Sequence, residues 1–375
     1  MAEWRVPSPR KREEFPLAFA PRELAGFRRA LLGWFARHRR DLPWRRTRDP
    51  YRIWLSEVML QQTRVAAVLR YYERFLRRFP TVEALAHARG EQVLRLWAGL
   101  GYYSRARNLH RAAKEIVARH NGQFPHTFEA ALELPGIGRY TAAAILSIAH
   151  GKPHAVLDGN VARVLARLGA VRGDLRAPRR WGGLQETAQA LLAPRAAGDW
   201  NQAMMELGGT ICTPRAPRCT ECPAARWCRA YQLGIAGEIP AARKKRAPVR
   251  LRLAAAVLLD PRGRTLLIRN ANGADAALFS RMWQFPAIEI ARNPRKELAR
   301  HLEAELGVRV NSMTPASTAR HSVTYREIAF LPFVAHVERL PAIAGARTPA
   351  LAALQRLAVS NATRKIAAAA LATVG

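Results

Sequence analysis

The sequence predicts a mostly helical N-terminal region followed by a smaller α+β domain, on three observations. Apolar residues recur at three- and four-residue spacing almost without pause from 24 to 232. A stretch rich in Gly, Pro and basic residues interrupts the chain at 234–250. Beyond it, strand-length apolar runs bounded by turn signals replace the helical period. With 375 residues, two domains are the expected count, and 49% hydrophobic residues are enough for real cores.

Residues 1–24 form an extension carrying Arg10, Lys11, Arg12, Glu13 and Glu14, with no apolar run suited to a secretion signal. Nothing approaches the roughly 20 apolar residues of a membrane span, so a cytoplasmic, nucleoid-associated protein without membrane contact is expected. The helical region follows at 25–232. Leu55, Val58, Val65, Leu69, Tyr72 and Leu76 make one stripe through 53–76, and helices are predicted at 93–97, 108–120, 141–150 and 161–168. The linker, 233–250, leads into six basic residues (Arg243, Lys244, Lys245, Arg246, Arg250, Arg252) with no acid after Glu238. A second domain, 251–340, opens with a hairpin: Leu253 to Leu259, a turn at Asp260 to Gly263, then Thr265 to Ile268. A helix over 294–306 and a strand over 327–337 complete it. The last segment, 341–375, is an Ala-rich tail with no assigned element.

The formal charge is +33, from 61 Lys plus Arg against 28 Asp plus Glu. Such an excess repels itself unless a polyanion neutralises it, which points to nucleic acid over an anionic membrane surface. Compositional bias explains Arg in place of Lys, but not the shortage of acids.

Four cysteines, Cys212, Cys219, Cys222 and Cys228, fall within 17 residues at C-x6-C-x2-C-x5-C spacing. In an intracellular chain they are expected to be ligands rather than disulfides. Four soft thiolates suit an iron–sulfur cluster or zinc. Zinc sites commonly show two C-x2-C pairs and only Cys219–Cys222 is one, which favours a [4Fe–4S] cluster; unconnected buried thiols are the bland alternative.

Leu134-Pro135-Gly136-Ile137-Gly138 lies between two helical patterns. Gly136 and Gly138 let successive N–H groups aim outward at the start of the next helix, an arrangement that binds phosphate; a tight turn between packed helices reads the same. Glu57 sits in the apolar Ile53-Trp54-Leu55-Ser56-Glu57-Val58-Met59-Leu60, which disfavours its charge and suits a general acid. Asp158 precedes Gly159 and Asn160 at a helix start, where an acid accepts backbone N–H bonds. Singly, one reads as a first-turn acid and the other as an N-cap. Together they fit a reaction needing a protonated carboxyl and a carboxylate.

These motifs carry a resemblance. The cysteine spacing resembles that of the endonuclease III-like glycosylases, and the hairpin followed by Leu157-Asp158-Gly159-Asn160-Val161 resembles the helix–hairpin–helix glycosylase superfamily. Ser56-Glu57-Val58-Met59-Leu60-Gln61-Gln62-Thr63, Gly99-Leu100-Gly101-Tyr102-Tyr103-Ser104-Arg105 and Asn201-Gln202-Ala203-Met204-Met205-Glu206-Leu207-Gly208 resemble the adenine DNA glycosylase family of MutY type. The resemblance, over about 25–340, implies a six-helix part near 49–149 and a cluster-bearing part from 25–48 plus 150–232. It implies a monomeric base-excision repair enzyme acting on double-stranded DNA with A·8-oxoguanine or A·G mispairs, and one [4Fe–4S] cluster. Glu57 would protonate the base and activate water, Asp158 would stabilise the sugar cation, and Tyr140 and Asn160 would support them.

The same resemblance gives Leu42, Trp44, Arg45 and Gln202 to the adenine pocket, and Gln62 and Tyr102 to a wedge in the duplex. On residue type alone Trp44 and Tyr102 read equally as core aromatics, and Gln202 as a helix cap. Bifunctional relatives carry a Lys just after the hairpin, where Tyr140 cannot form a Schiff base; a monofunctional hydrolase is expected. A related glycosylase for thymine or oxidised pyrimidines, and a non-catalytic iron–sulfur DNA-binding protein, are the rival readings. Met282-Trp283-Gln284-Phe285-Pro286 and Leu302-Glu303-Ala304-Glu305-Leu306-Gly307-Val308 resemble a Nudix fold that reads 8-oxoguanine. His301 and Ala304 stand where metal-binding Glu residues are expected, so no nucleotide hydrolysis is anticipated. His321 is the residue of that domain placed near the lesion, on a loop; a solvated loop His is the alternative.

Overall fold

A computed structural model describes residues 19–241, 247–269, 282–323 and 325–374. Most of the expected N-terminal extension, and the basic cluster Arg243, Lys244, Lys245 and Arg246 of the linker, lie outside the described residues. No helix among the described residues is long and apolar enough to cross a membrane.

Twelve helices precede the linker among those residues: α1 (Pro21–His38), α2 (Pro50–Leu60), α3 (Val65–Arg78), α4 (Val82–Ala86), α5 (Gly90–Trp97), α6 (Tyr103–His120), α7 (Phe128–Glu133), α8 (Arg139–His150), α9 (Gly159–Leu168), α10 (Pro178–Leu191), α11 (Ala197–Thr210) and α12 (Arg229–Gln232). The single helix expected over 53–76 is two: α2 ends at Leu60, Gln62 takes a positive φ of 55°, and α3 starts at Val65. The apolar spacing runs on across the break, so periodicity alone cannot see the turn; α3 buries Val68, Tyr72 and Phe75, while Val65, Leu69 and Leu76 of the stripe are half-buried.

The chain forms two compact units. In the first (1–72, 81–83 and 112–244), α11 is the hub and packs on α1, α8 and α9, while α2 packs on α8. Phe27 of α1 meets Trp200 of α11 edge-on, ring centroids 5.4 Å apart. Two glycines permit the close approaches of α11. A Cβ on Gly198 would lie 2.7 Å from the Ser147 carbonyl oxygen of α8, and one on Gly208 would lie 2.7 Å from Cβ of Asn160 in α9.

The second unit holds 73–80, 84–111 and 245–375. Its sheet is mixed: β1 (Val249–Leu259) pairs in parallel with β5 (Arg326–His336) along its whole length. β2 (Ala287–Glu289) flanks β1 antiparallel, and β3 (Thr314–Pro315) and β4 (Ala319–Val323) pair antiparallel with β5. Helix α13 (Pro294–Leu306), which begins and ends where the sequence predicts, buries Leu298 and Leu302 against Ala254, Ala256 and Leu258.

Three expectations are corrected here. The Asp260–Gly263 turn forms, but Thr265–Ile268 does not run on as a hairpin strand. It makes a bridge to Leu259, then turns to Arg347 and Gln284. The expected tail is structured: α14 (Asn361–Val374) packs on β4, β5 and β1 and buries Ile366 and Ala370. Ala255 and Val257 on β1 are as buried as their alternating neighbours, so both faces of the sheet need cover. Finally, the second unit recruits 73–80 and 84–111 from the region expected to be one helical block, partly through Glu91, which accepts from Trp283 Nε1 (3.1 Å) and Arg347 Nη2 (2.9 Å).

Candidate active site

A cleft of about 920 Å³ opens in the first unit. Glu57 from α2 lines it, brought there because α2 is apolar on nearly every side and therefore sits inside the unit. The residue is 6% exposed, and burial pushes its pKa up to about 7. The Tyr140 hydroxyl, donating to Oε2 at 2.8 Å, works against that rise, as does Arg45, while Asp158 adds to it. Tyr140 is the second residue of α8, directly behind the glycine hairpin, and burial first, then Glu57 and Asp158, hold its phenol far above its ordinary value.

Asp158 enters the cleft from the N-cap of α9. Oδ1 accepts the backbone N–H groups of Asn160 (2.9 Å) and Val161 (2.7 Å), and Oδ2 accepts the Asn160 amide at 3.0 Å. The segment before it is pinned by buried Asn201. That side chain accepts from Val156 N (3.1 Å) and donates to Ser147 Oγ and the His154 carbonyl, both at 2.8 Å.

Leu42, Trp44, Arg45, Gln62, Asn160 and Gln202 line this cleft as well, so folding brings nine sequence-selected residues together. Trp44 also serves packing: it is buried and meets Tyr72 edge-on at 5.2 Å. Gln202 spends one amide bond inside its own helix, on the Gly198 carbonyl at 3.4 Å. In the hairpin Gly136 has φ 78°, and Gly138 N-caps α8 with no side-chain cap bond and open space where a Cβ would be. The first amides of α8 are thereby open to an anion.

Tyr102 and His321 belong to the second unit. Tyr102 is exposed with φ 46°, an uncommon conformation for a bulky residue, and the Arg105 guanidinium lies 5.4 Å from its ring centroid. His321 does not sit on a loop. It is on β4 opposite Ile328 of β5, half-buried, and burial followed by Lys365 lowers its pKa.

Cys212, Cys219, Cys222 and Cys228 line one small cavity together with Arg167 and Ile211. Among the described residues no three His, Cys, Asp or Glu side chains are spaced to close on a single metal ion. Four soft donors around a common space nonetheless fit a larger group such as a cluster. Burial pushes the Cys222 thiol up to about 12 and raises Cys219 and Cys228.

Three residues unrecognised in the sequence complete the site. Glu206, four residues after Gln202, is buried in the cleft wall and takes hydrogen bonds from Arg40 and Arg45. Arg163 joins Asn160 Oδ1 (3.0 Å) to the carbonyls of Gly208 (2.7 Å) and Cys212 (2.9 Å). Arg167, 1% exposed, donates to Cys212 Sγ at 3.1 Å and to the Thr213 and Ile239 carbonyls. Two arginines four apart inside the apolar run Val161-Ala162-Arg163-Val164-Leu165-Ala166-Arg167-Leu168 were the available signal, since cations in such a run must find buried acceptors.

The sequence model of the HhH-GPD superfamily base excision DNA repair proteins matches residues 55–208. An adenine DNA glycosylase of Homo sapiens is 48% identical over 223 residues, covering 56% of this chain and 40% of its own. One from Buchnera aphidicola subsp. Acyrthosiphon pisum is 38% identical over 203 residues, covering 54% of this chain and 58% of its own. The chain thus spans about half the length of the curated relatives it matches. A thermostable thymine-DNA glycosylase structure aligns with TM-score 0.52 and 30% identity over 56% of this chain and 97% of that one. An endonuclease III–DNA covalent intermediate aligns with TM-score 0.50 and 21% identity over 58% of this chain and 100% of that one, a likeness of fold.

Proposed function

This chain belongs to the HhH-GPD superfamily of base excision DNA repair proteins, and from that premise we propose that it hydrolyses the N-glycosidic bond of adenine mispaired with 8-oxoguanine or guanine in double-stranded DNA. The observation that carries the proposal is the pairing of a buried Glu57, poised near pH 7, with an N-capping Asp158 in one cleft. Glu57 in its acid form gives its proton to N7 of the flipped-out adenine. The bond between C1′ and N9 breaks with both electrons going to the base, which leaves as neutral adenine. Asp158 faces the resulting sugar cation. Water adds to C1′ and returns a proton to Glu57, so the net reaction consumes one water and leaves the strand intact.

The hydrogen bonds divide the work. Tyr140 occupies Oε2 of Glu57, so Oε1 is the oxygen available to the base. Asn160, itself held by Arg163, fixes Oδ2 of Asp158. Leu42, Trp44, Arg45 and Gln202 enclose the base, and Gln62 takes the space it vacates; its positive φ favours such a role. With Tyr140 after the hairpin there is no amine to attack the sugar.

Cys212, Cys219, Cys222 and Cys228 would hold one [4Fe–4S] cluster, which would supply structure to the basic loop between Cys212 and Cys219. A brown protein absorbing near about 400 nm supports the cluster, and a colourless zinc-loaded one overturns it. The second unit, with its Nudix-like motifs, would read the base opposite adenine, His321 acting from β4. The monomeric state and the nucleoid-associated location belong to the same reading.

The thymine-DNA glycosylase likeness favours one second reading, excision of thymine from T·G. Single-turnover excision on A·8-oxoguanine, A·G and T·G duplexes, with and without alkali, separates them. Adenine release with strand breaks only after alkali is expected. Preference for T·G, or breaks without alkali, overturns the proposal.

A further inference from the structure

Glu206 is a rare object in a chain with more than twice as many basic residues as acids: a carboxylate 1% exposed, in the wall of the same cleft as Glu57. Oε1 accepts from the backbone N (3.1 Å) and Nε (2.8 Å) of Arg40. Oε2 accepts from Nη2 of Arg40 and Nη2 of Arg45, both at 2.7 Å. Arg45 is fixed on two further sides, by its Nη1 on the Arg40 carbonyl (3.1 Å) and by the Phe35 ring 5.4 Å away. The two arginines differ in reach. Arg40 keeps 44% of its side chain in water, which screens it, whereas Arg45 keeps 10%, so Arg45 is the cation the cleft feels.

The groups that set the charge of Glu57 are Tyr140 from α8, Asp158 from the N-cap of α9, and Arg45 from the short turn before α2; Arg40 and Arg64 line the same cleft. Of these cations Arg45 is the one that favours loss of the Glu57 proton. We propose that Glu206 is a positioning residue for the acid: it clamps Arg45 as a neutralised pair, so that a guanidinium can orient the base without stripping Glu57 of its proton. Glu206 suits this because it remains ionised: burial alone would raise it, but the hydrogen bonds from Arg40 and Arg45 win and hold it at about 2.

The inference rests on Glu57 acting in its protonated form, so its test reads Glu57 itself, without DNA. The carboxyl C=O stretch of Glu57, assigned by its loss in Glu57→Gln, is titrated by infrared difference spectroscopy. In Glu206→Gln the midpoint should fall by roughly one pH unit, about a tenfold loss of protonated Glu57 on the basic side. In Glu206→Asp, which keeps the charge, it should stay near the native value, and in Glu206→Gln/Arg45→Met it should return toward it. The basic limb of single-turnover excision should follow the same order. Should Glu206→Gln fail to fold, Arg45→Met alone should move the midpoint upward. An unmoved midpoint in Glu206→Gln or in Arg45→Met, or equal activity losses in Gln and Asp with unshifted limbs, overturns the proposal. Thymine excision with the midpoint shifts intact would sink the adenine reading and leave this one standing.

Discussion

The two walls of the cleft hold the same functional group in opposite ways. Glu57 is carried inside by an apolar helix, and its carboxyl receives the Tyr140 phenol at 2.8 Å. Asp158 stands at a helix N-terminus and receives three donors, two of them backbone amides. Burial with a single donor keeps a proton on a carboxyl, whereas converging N–H dipoles stabilise negative charge. One unit thereby obtains an acid and a counter-charge from two side chains that differ by a methylene.

The sharpest way to break this contrast is to neutralise each carboxyl without changing its shape. Glu57→Gln and Asp158→Asn should each cost about a thousandfold or more in single-turnover excision. Their stabilities should diverge. Glu57 binds its proton more tightly folded (about 7) than at its ordinary 4.5, so its favourable contribution is complete below about pH 4.5 and is lost as pH rises through 7. Glu57→Gln should therefore gain on the native protein across that window, by up to about 3 kcal/mol in denaturant melts. Asp158→Asn keeps a competent N-cap and should change stability by less than about 1 kcal/mol. A pH-independent Glu57→Gln difference would remove the distinction between the walls.

A smaller effect tests how the Asp158 wall is set in place. Gly208→Ala would push a methyl to 2.7 Å from Asn160 Cβ, displacing the amide that holds Asp158 Oδ2. Excision should drop about 10- to 100-fold with little change in DNA affinity, as expected for a shifted catalytic group. Unchanged excision would mean the Asp158 wall tolerates movement.

The smallest effect sharpens the Glu57 wall. Tyr140→Phe removes the donor that holds the Glu57 proton down, so the basic limb of the pH–rate profile should move up, with a loss of about tenfold at neutral pH from a less fixed carboxyl. A limb that moves down would show that the phenol acts otherwise.

Much of the site was legible because chemistry that depends on local setting leaves local marks. Glu57 within an apolar helix, Asp158 before Gly159-Asn160, and the glycine hairpin each state their environment within a few residues. Glu206 and Arg163 left weaker marks, because their partners lie 166 and 49 residues away, at Arg40 and Cys212. His321 illustrates the same limit: its neighbours suggest a loop, but pairing with Ile328 makes a strand. The break between α2 and α3 hid because the apolar spacing runs on across it.

By itself, then, the sequence determined the helical and α+β halves, the helix over 294–306, the carboxylate pair, the hairpin and the four cysteines. Periodicity and capping are decided by near neighbours, and soft-ligand spacing is written in the chain. Only the tertiary structure decided that α14 covers the second face of the sheet, that 84–111 joins the C-terminal unit, and that Glu206 neutralises Arg45 beside Glu57. Those outcomes depend on which distant surfaces remain to be buried and which distant charges meet, and no local pattern encodes either.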